Sequence, residues 1–213
     1  MFTSRTLLEG KWPIVVLAWL GVATLIWCPV LWAPILPFAL LAFTISFFRD
    51  PKRTVPADPQ AIVAPADGRV VEVKTVNEPH YLKSDAQMVA IFLSVFDVHV
   101  QRSPVEGAIK FVQYNRGRFL DARNPQCAVV NENRVIGIES ADGFRVTVRQ
   151  VAGLIARRIV GWAEQGARLA KGERIGMIRF GSRVELFLPP DCEVTVKVGD
   201  YVTGGDHVVA RKR

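Results

Sequence analysis

The sequence is most uneven in where it lacks charge. Residues 12–48 contain no Asp, Glu, Lys, Arg or His, and 29 of these 37 residues are hydrophobic. Cysteine and histidine are also scarce, at three each in 213 residues. Cys28, Cys127 and Cys192 are too few and too scattered for a disulfide scaffold, and no Cys-x-x-Cys or Cys/His cluster suggests a metal site. A Gly-rich phosphate loop of the P-loop or Rossmann type is missing as well. With half of the residues hydrophobic, a disordered chain is excluded.

The charge-free region reads as a membrane segment. Two apolar stretches, 12–28 and 30–48, meet at Pro29, and each approaches the roughly 20 residues that a span requires. Trp27 and Trp32 flank the expected turn, where interfacial aromatics belong. A cleaved signal peptide has an apolar core of roughly 7–15 residues, much shorter than this run. Arg5 and Lys11 precede the run, and Arg49, Lys52 and Arg53 follow it. Basic residues on both sides predict a helical hairpin at the cytoplasmic face of the cell membrane, whether it crosses or only inserts.

Residues 49–213 form the second predicted domain. Short runs rich in Val, Ile and Phe alternate with Gly, Pro, Asn and Asp. Strands are expected at 69–76, 88–95, 107–113, 134–139, 144–151, 154–160, 174–179, 183–188 and 193–197, with a helical alternative only around 154–165. The expected fold class is mainly β (α+β). Recurrent turns such as Lys171-Gly172-Glu173, Val198-Gly199-Asp200 and Gly205-Asp206 suggest a barrel-sandwich hybrid. The net charge of the whole chain is +7. Behind a membrane anchor, that charge points to anionic lipid head groups rather than nucleic acid.

Three places carry possible chemistry. Asp67-Gly68 precedes a strong strand, but is also an ordinary turn. His99 lies among apolar residues in Asp97-Val98-His99-Val100, and a satisfied core histidine explains it equally. Gly181-Ser182 sits between two apolar runs, as a tight turn or bulge does. The order Asp, His, Ser invites a hydrolase triad, yet Phe180-Gly181-Ser182-Arg183-Val184 lacks the second glycine of a nucleophile elbow. A Gly-Ser step has another use. The hydroxyl attacks the preceding carbonyl, an N→O shift gives an ester, and elimination then hydrolysis leave a pyruvoyl group. A His oriented by an Asp supplies the base.

At this point the residues resemble a known family. The stretch from Lys171 to Val184 is similar to the self-cleavage region of phosphatidylserine decarboxylase proenzymes of the short bacterial and archaeal form. Phe47-Phe48-Arg49-Asp50-Pro51, Pro65-Ala66-Asp67-Gly68, Asp97-Val98-His99-Val100 and Asn131-Glu132-Asn133-Arg134 resemble its other signatures, in the same order. The resemblance implies cleavage between Gly181 and Ser182 into a β chain, 1–181, and an α chain, 182–213. Ser182 becomes a covalent pyruvoyl cofactor, no metal is used, and Asp67 and His99 assist. It further implies decarboxylation of phosphatidylserine to phosphatidylethanolamine through a Schiff base. Its partners are then the phospholipid substrate, the membrane and the cleaved chains, as an αβ heterodimer or a dimer of such units.

Arg116, Arg118, Arg123 and Arg134 are candidates for the substrate phosphate, with solvated surface as their plain alternative. Arg102 stands where longer members carry a second His. The other classes to weigh are a non-enzymatic hybrid-fold adaptor or carrier, and a membrane-bound serine hydrolase using Asp67, His99 and Ser182.

Overall fold

The computed structural model describes residues 3–124, 126–154, 158–179 and 181–213. The chain divides into two compact units, 1–52 and 53–213.

The first unit contains two apolar helices, α1 (Ser4–Trp27) and α2 (Ile35–Phe47). α1 begins eight residues before the charge-free run. The Thr3 side chain caps the Thr6 amide and the Thr6 side chain caps Thr3 in return, so the helix starts among charged residues. Its 24 residues span about 36 Å, enough for a bilayer's hydrocarbon core. Among the described residues it is the one helix long and apolar enough to cross. The 13 residues of α2 reach only about 20 Å. The helices approach closely at two glycines. A Cβ on Gly10 would stand 2.7 Å from the Phe48 ring, and one on Gly21 would stand 2.9 Å from the Phe38 ring.

The second unit is mainly β. Its strands in chain order are β1 (Ala61–Val63), β2 (Gly68–Glu78), β3 (Ser84–Leu93), β4 (Val100–Arg102), β5 (Gly107–Asn115), β6 (Asn133–Glu139), β7 (Arg145–Ala152), β8 (Ile159–Gly161), β9 (Arg168–Leu169), β10 (Arg174–Ile178), β11 (Ser182–Leu188), β12 (Glu193–Val194), β13 (Tyr201–Val202) and β14 (Val208–Arg211). A single helical turn, α3 (Cys127–Val130), interrupts them. Eight strands form one antiparallel sheet in the order β13-β2-β3-β11-β7-β6-β5-β9, which curls into a half-barrel. Register shifts at Val70/Glu72 and Ile109/Phe111 help it to curl. Two three-stranded sheets, β1-β14-β12 and β4-β10-β8, supply further apolar residues to the same core.

Successive side chains of a strand take opposite faces of the sheet. On β11, Val184, Leu186 and Leu188 enter the main core, while Arg183, Glu185 and Phe187 take the outer face. The strand expected at 154–160 is reduced to β8, and residues 155–157 lie outside the described residues.

A buried carboxylate closes the β2–β3 hairpin. Glu78 accepts hydrogen bonds from the amides of His80, Tyr81 and Leu82 at 2.8, 3.0 and 2.6 Å, and from the Thr147 hydroxyl at 3.1 Å. Burial pushes its pKa up, but the amides of Leu82, His80 and Tyr81 outweigh burial and hold the group below its usual 4.5. Its stabilising contribution is therefore full above the unfolded value and lost as pH falls through the folded one. Glu78→Ala should lower stability by about 2 kcal/mol at neutral pH in urea unfolding of the detergent-solubilised chain. The difference from the native chain should shrink below about pH 4.

Candidate active site

The site lies where strands of the large sheet end together. Ser182 opens β11, with Leu93 of β3 on one side and Ala152 of β7 on the other. Alternation puts its side chain on the core face with Val184. Ser182 is fully buried, and its Oγ has no hydrogen-bond partner among the described residues.

Gly181 has φ +61°, a left-handed conformation that favours glycine. A Cβ there would meet nothing within 4 Å, so backbone angle rather than space calls for glycine. At Gly153 the reverse holds, because a Cβ would lie 2.1 Å from the Gly181 carbonyl oxygen. Glycine at 153 thus makes room for the carbonyl of the Gly181–Ser182 peptide. Phe180 lies outside the described residues.

His99 is fully buried just before β4. Its Nε2 accepts the Gly181 amide at 3.2 Å, so the ring keeps a lone pair there. The proton must then sit on Nδ1, which donates to the Asp97 carbonyl at 2.9 Å. The ring is neutral and its basic nitrogen faces the residue before the Gly181–Ser182 bond. A backbone carbonyl sets this tautomer, in the place where an Asp side chain was expected.

Asp67 immediately precedes Gly68, and a Cβ on Gly68 would meet the Phe92 carbonyl oxygen at 2.2 Å. Asp67 thus lies at the end of β3, one strand from Ser182. Arg53 donates to both carboxylate oxygens at 2.9 Å, and the Gly204 amide donates to Oδ1 at 2.8 Å. Burial raises the Asp67 pKa. Arg53 and the Gly204 amide offset part of that, and nearby Asp97 adds to it. The Asp97 carboxylate itself accepts the Ser94 amide and the Tyr201 hydroxyl, both at 2.7 Å.

A buried polar chain supports His99 from behind. Arg134 Nη1 donates to Gln150 Oε1 at 3.3 Å, Gln150 Nε2 to Gln101 Oε1 at 2.8 Å, and Gln101 Nε2 to the His99 carbonyl at 2.8 Å. Arg134 and Gln150 face each other across β6 and β7. The space comes from two paired glycines of the small sheet. A Cβ on Gly161 would lie 2.5 Å from Arg134 Cζ, and one on Gly176 would lie 2.9 Å from Gln150 Nε2.

Arg134 is therefore buried and also donates to the carbonyls of Ile175 and Ala163, which places it apart from the phosphate candidates. Burial pulls its pKa down. Arg116, Arg118 and Arg123 are exposed, and Arg123 is paired with Asp121. Arg102 is buried, with Nη1 on the Gly172 carbonyl at 3.0 Å.

Sequence reasoning missed Arg53, Gly153, Gln101 and Gln150. It quoted Asn131 without a role. The Asn131 amide donates to the Ala152 carbonyl at 2.7 Å and so steadies the strand beside Ser182. Four consecutive polar residues, Asn131-Glu132-Asn133-Arg134, running into an apolar strand, were the available signal.

Burial raises the pKa of both inner thiols, Cys192 to about 11, so neither is a ready nucleophile at neutral pH. Among the described residues, no group of three His, Cys, Asp or Glu side chains is placed to hold a metal.

Residues 40–210 match the family described as phosphatidylserine decarboxylase. Curated relatives named phosphatidylserine decarboxylase proenzyme are similar over most of the chain. The one from Symbiobacterium thermophilum is 48% identical over 172 residues, covering 81% of this chain and 80% of the relative. That from Carboxydothermus hydrogenoformans is 45% identical over 207 residues, covering 95% and 94%. A relative from Neisseria meningitidis serogroup B is 44% identical over 169 residues, covering 79% of this chain and 63% of its own length. Likeness of this extent, running through both the Gly181–Ser182 step and the strands that frame it, makes the chain an enzyme of the phosphatidylserine decarboxylase family.

Proposed function

We propose that the chain is a precursor that cuts itself between Gly181 and Ser182, and that the product decarboxylates phosphatidylserine to phosphatidylethanolamine and CO2. The observation that carries this reading is a buried Ser182 hydroxyl, without a partner among the described residues, beside a glycine carbonyl, with a neutral His99 on the adjoining amide.

The self-processing steps follow from these groups. His99 exchanges the Gly181 N–H for the Ser182 O–H and takes its proton. The Ser182 oxygen attacks the Gly181 carbonyl carbon, the C–N bond breaks, and the proton passes to the Ser182 nitrogen. The resulting ester loses its α-proton and its C–O bond, leaving a Gly181 carboxylate. Water then replaces the nitrogen, which departs as ammonia, and a pyruvoyl group remains at residue 182.

The residues suit that group. Removing an oxygen that has no partner among the described residues costs no hydrogen bond seen there, and the position stays walled by Leu93 and Ala152. The pyruvoyl group supplies a carbonyl that condenses with the substrate amine and accepts the electron pair released with CO2. On this reading His99 delivers a proton to the former α-carbon, and Asp67, held by Arg53, assists. Exposed Arg116 and Arg118 are offered to the lipid phosphate.

A hydrolase nucleophile must meet an outside carbonyl, whereas Ser182 is fully buried beside an internal one. That favours self-cleavage over the hydrolase reading.

The N-terminal helices belong to the same proposal. Trp12, Trp19 and Trp27 on α1 and Trp32 in the turn after it are 64–73% exposed, and the two helices have almost no polar face. The Thr24 and Thr44 hydroxyls bond back to carbonyls one turn earlier, as apolar surroundings require. We read them as a hairpin in the cytoplasmic face of the cell membrane, which holds the enzyme near its lipid. The domain is read as a barrel-sandwich hybrid, assembled as αβ units.

Intact mass of the purified protein should give two chains, 1–181 and 182–213, with no free amine on the smaller. Ser182→Ala should stay whole and inactive. One uncut native chain with an unmodified Ser182 would sink the proposal. Gly153→Ala should slow cutting by about 100-fold, followed as precursor decay on a gel, because the added methyl displaces the Gly181 carbonyl. A normal cutting rate in that variant would remove Gly153 from the account.

A further inference from the structure

Self-cleavage at Gly181–Ser182 makes residue 182 a chain end. Chain ends fray unless tied down, yet the reacting group must be held to a fraction of an ångström. The backbone ladder to β3 and β7 remains, but the link through Gly181 is gone. What else holds the end is visible on the opposite face of the sheet.

Arg183 is 4% exposed and lies on the outer face, directly behind the Ser182 side chain. Its Nε donates to Glu185 Oε1 at 2.8 Å, and its Nη2 pairs with Glu72 of β2. The other Glu185 oxygen accepts Arg149 Nε of β7 at 2.5 Å. Two cations and two anions thus tie β11 to strands on both sides. Glu72 is not a neighbour of β11, because β3 runs between them. Ala90 of β3 is the register partner of both Glu72 and Glu185, and its methyl leaves the path open for Arg183 to cross. Burial pulls the Arg183 pKa down, but Glu185 and Glu72 hold it above its ordinary value, so the guanidinium stays charged.

Stability alone is a poor reason for this network. Buried ion pairs are often matched or bettered by apolar residues of similar volume. What they supply is fixed geometry, and here the geometry is fixed one residue from the cut.

We propose that Arg183 is a positioning residue of the mature enzyme, whose ion pairs to Glu72 and Glu185 clamp the chain end that self-cleavage creates. The proposal rests on the self-cleavage reading. In the precursor the covalent chain already runs through residue 182, so the clamp is dispensable for cutting. After the cut it holds the Ser182-derived group in register between Leu93 and Ala152.

The test uses the full chain in detergent, with Arg183→Thr, Arg183→Lys and Glu72→Gln. Cutting is read by intact mass. Turnover of the cut enzyme is read as CO2 release from phosphatidylserine in mixed micelles. Amide hydrogen exchange at residues 183–185 is read in the cut forms and in uncut chains carrying Ser182→Ala. Arg183→Thr should cut at the native rate and then lose about tenfold or more in kcat, with KM changed by less than about twofold. Exchange at 183–185 should speed up in its cut form and change little in its uncut form. Arg183→Lys should recover part of kcat, and Glu72→Gln, on β2 beyond the intervening β3, should lower it in the same direction as Arg183→Thr. Native kcat in cut Arg183→Thr overturns the clamp. So does a parallel loss of cutting, or exchange that rises equally in cut and uncut chains. A native chain that is never cut overturns the self-cleavage reading itself, and the clamp with it.

Discussion

The hydrogen bond from the Gly181 amide to His99 Nε2 constrains the rest of the site. It requires an unprotonated Nε2, which puts the ring proton on Nδ1 and so demands an acceptor behind the ring. The Asp97 carbonyl is that acceptor. It also requires that the loop before β4 and the end of β10 meet at a fixed distance. The Ile178 amide on the His99 carbonyl at 3.3 Å, and the pairing of Met177 with Val100, serve that end. Glycine at 181 follows as well, because the chain must turn through φ +61° between this amide and the start of β11.

The same constraint explains why an arginine lies inside a β domain. A glutamine amide presents a donor and an acceptor, and nothing in its shape says which way round it should sit. Arg134 only donates, so Gln150 must offer it Oε1 and turn its NH2 toward Gln101. Gln101 must in turn offer Oε1 and point its NH2 at the His99 carbonyl. One buried cation thus sets the polarity of two amides and delivers a donor to the backbone of the histidine. Such a chain is advantageous only when every member is satisfied. Arg134 meets that condition through the Ile175 and Ala163 carbonyls, and Gly161 and Gly176 leave the room for it.

How much of this was legible in the sequence depends on length and alternation. β7 and β11 alternate polar with apolar residues over much of their length, so the pattern marks both their existence and their inner face, whereas the apolar run Met88–Leu93 of β3 marks a strand without marking its face. β1, β4, β9, β13 and β14 have two to four residues each and pass below any periodic signal. α1 began earlier than the apolar run because a threonine capping box outweighs the charges that follow it. Ser182, Gly181, His99 and Asp67 were legible as residues of unusual chemistry in an apolar setting. Arg134 was read as a phosphate candidate, with solvated surface as the alternative, because an arginine is ordinarily exposed, and the paired glycines on a different sheet give it a buried place. Arg53 and Gly153 carry no local signal at all. Their roles exist only because Asp67 and the Gly181 carbonyl are brought to them by the fold.

Among the described residues, the Ser182 hydroxyl is a buried polar group without a hydrogen-bond partner at the centre of the site. Leaving a buried hydroxyl without a hydrogen bond costs about 1–3 kcal/mol. Consistent sequences avoid this, and departures from consistency concentrate where chemistry occurs. Nothing on the inner face at Leu93 or Ala152 offers Ser182 a side-chain acceptor, and alanine or valine would suit the position better. On the self-cleavage reading the defect belongs to the precursor alone. The oxygen leaves with Gly181, and the apolar walls that failed to satisfy it then enclose a carbonyl group. An environment unsuited to serine is then suited to what serine becomes. The ground state is raised where the reaction begins, and the surroundings need no rearrangement to hold its product.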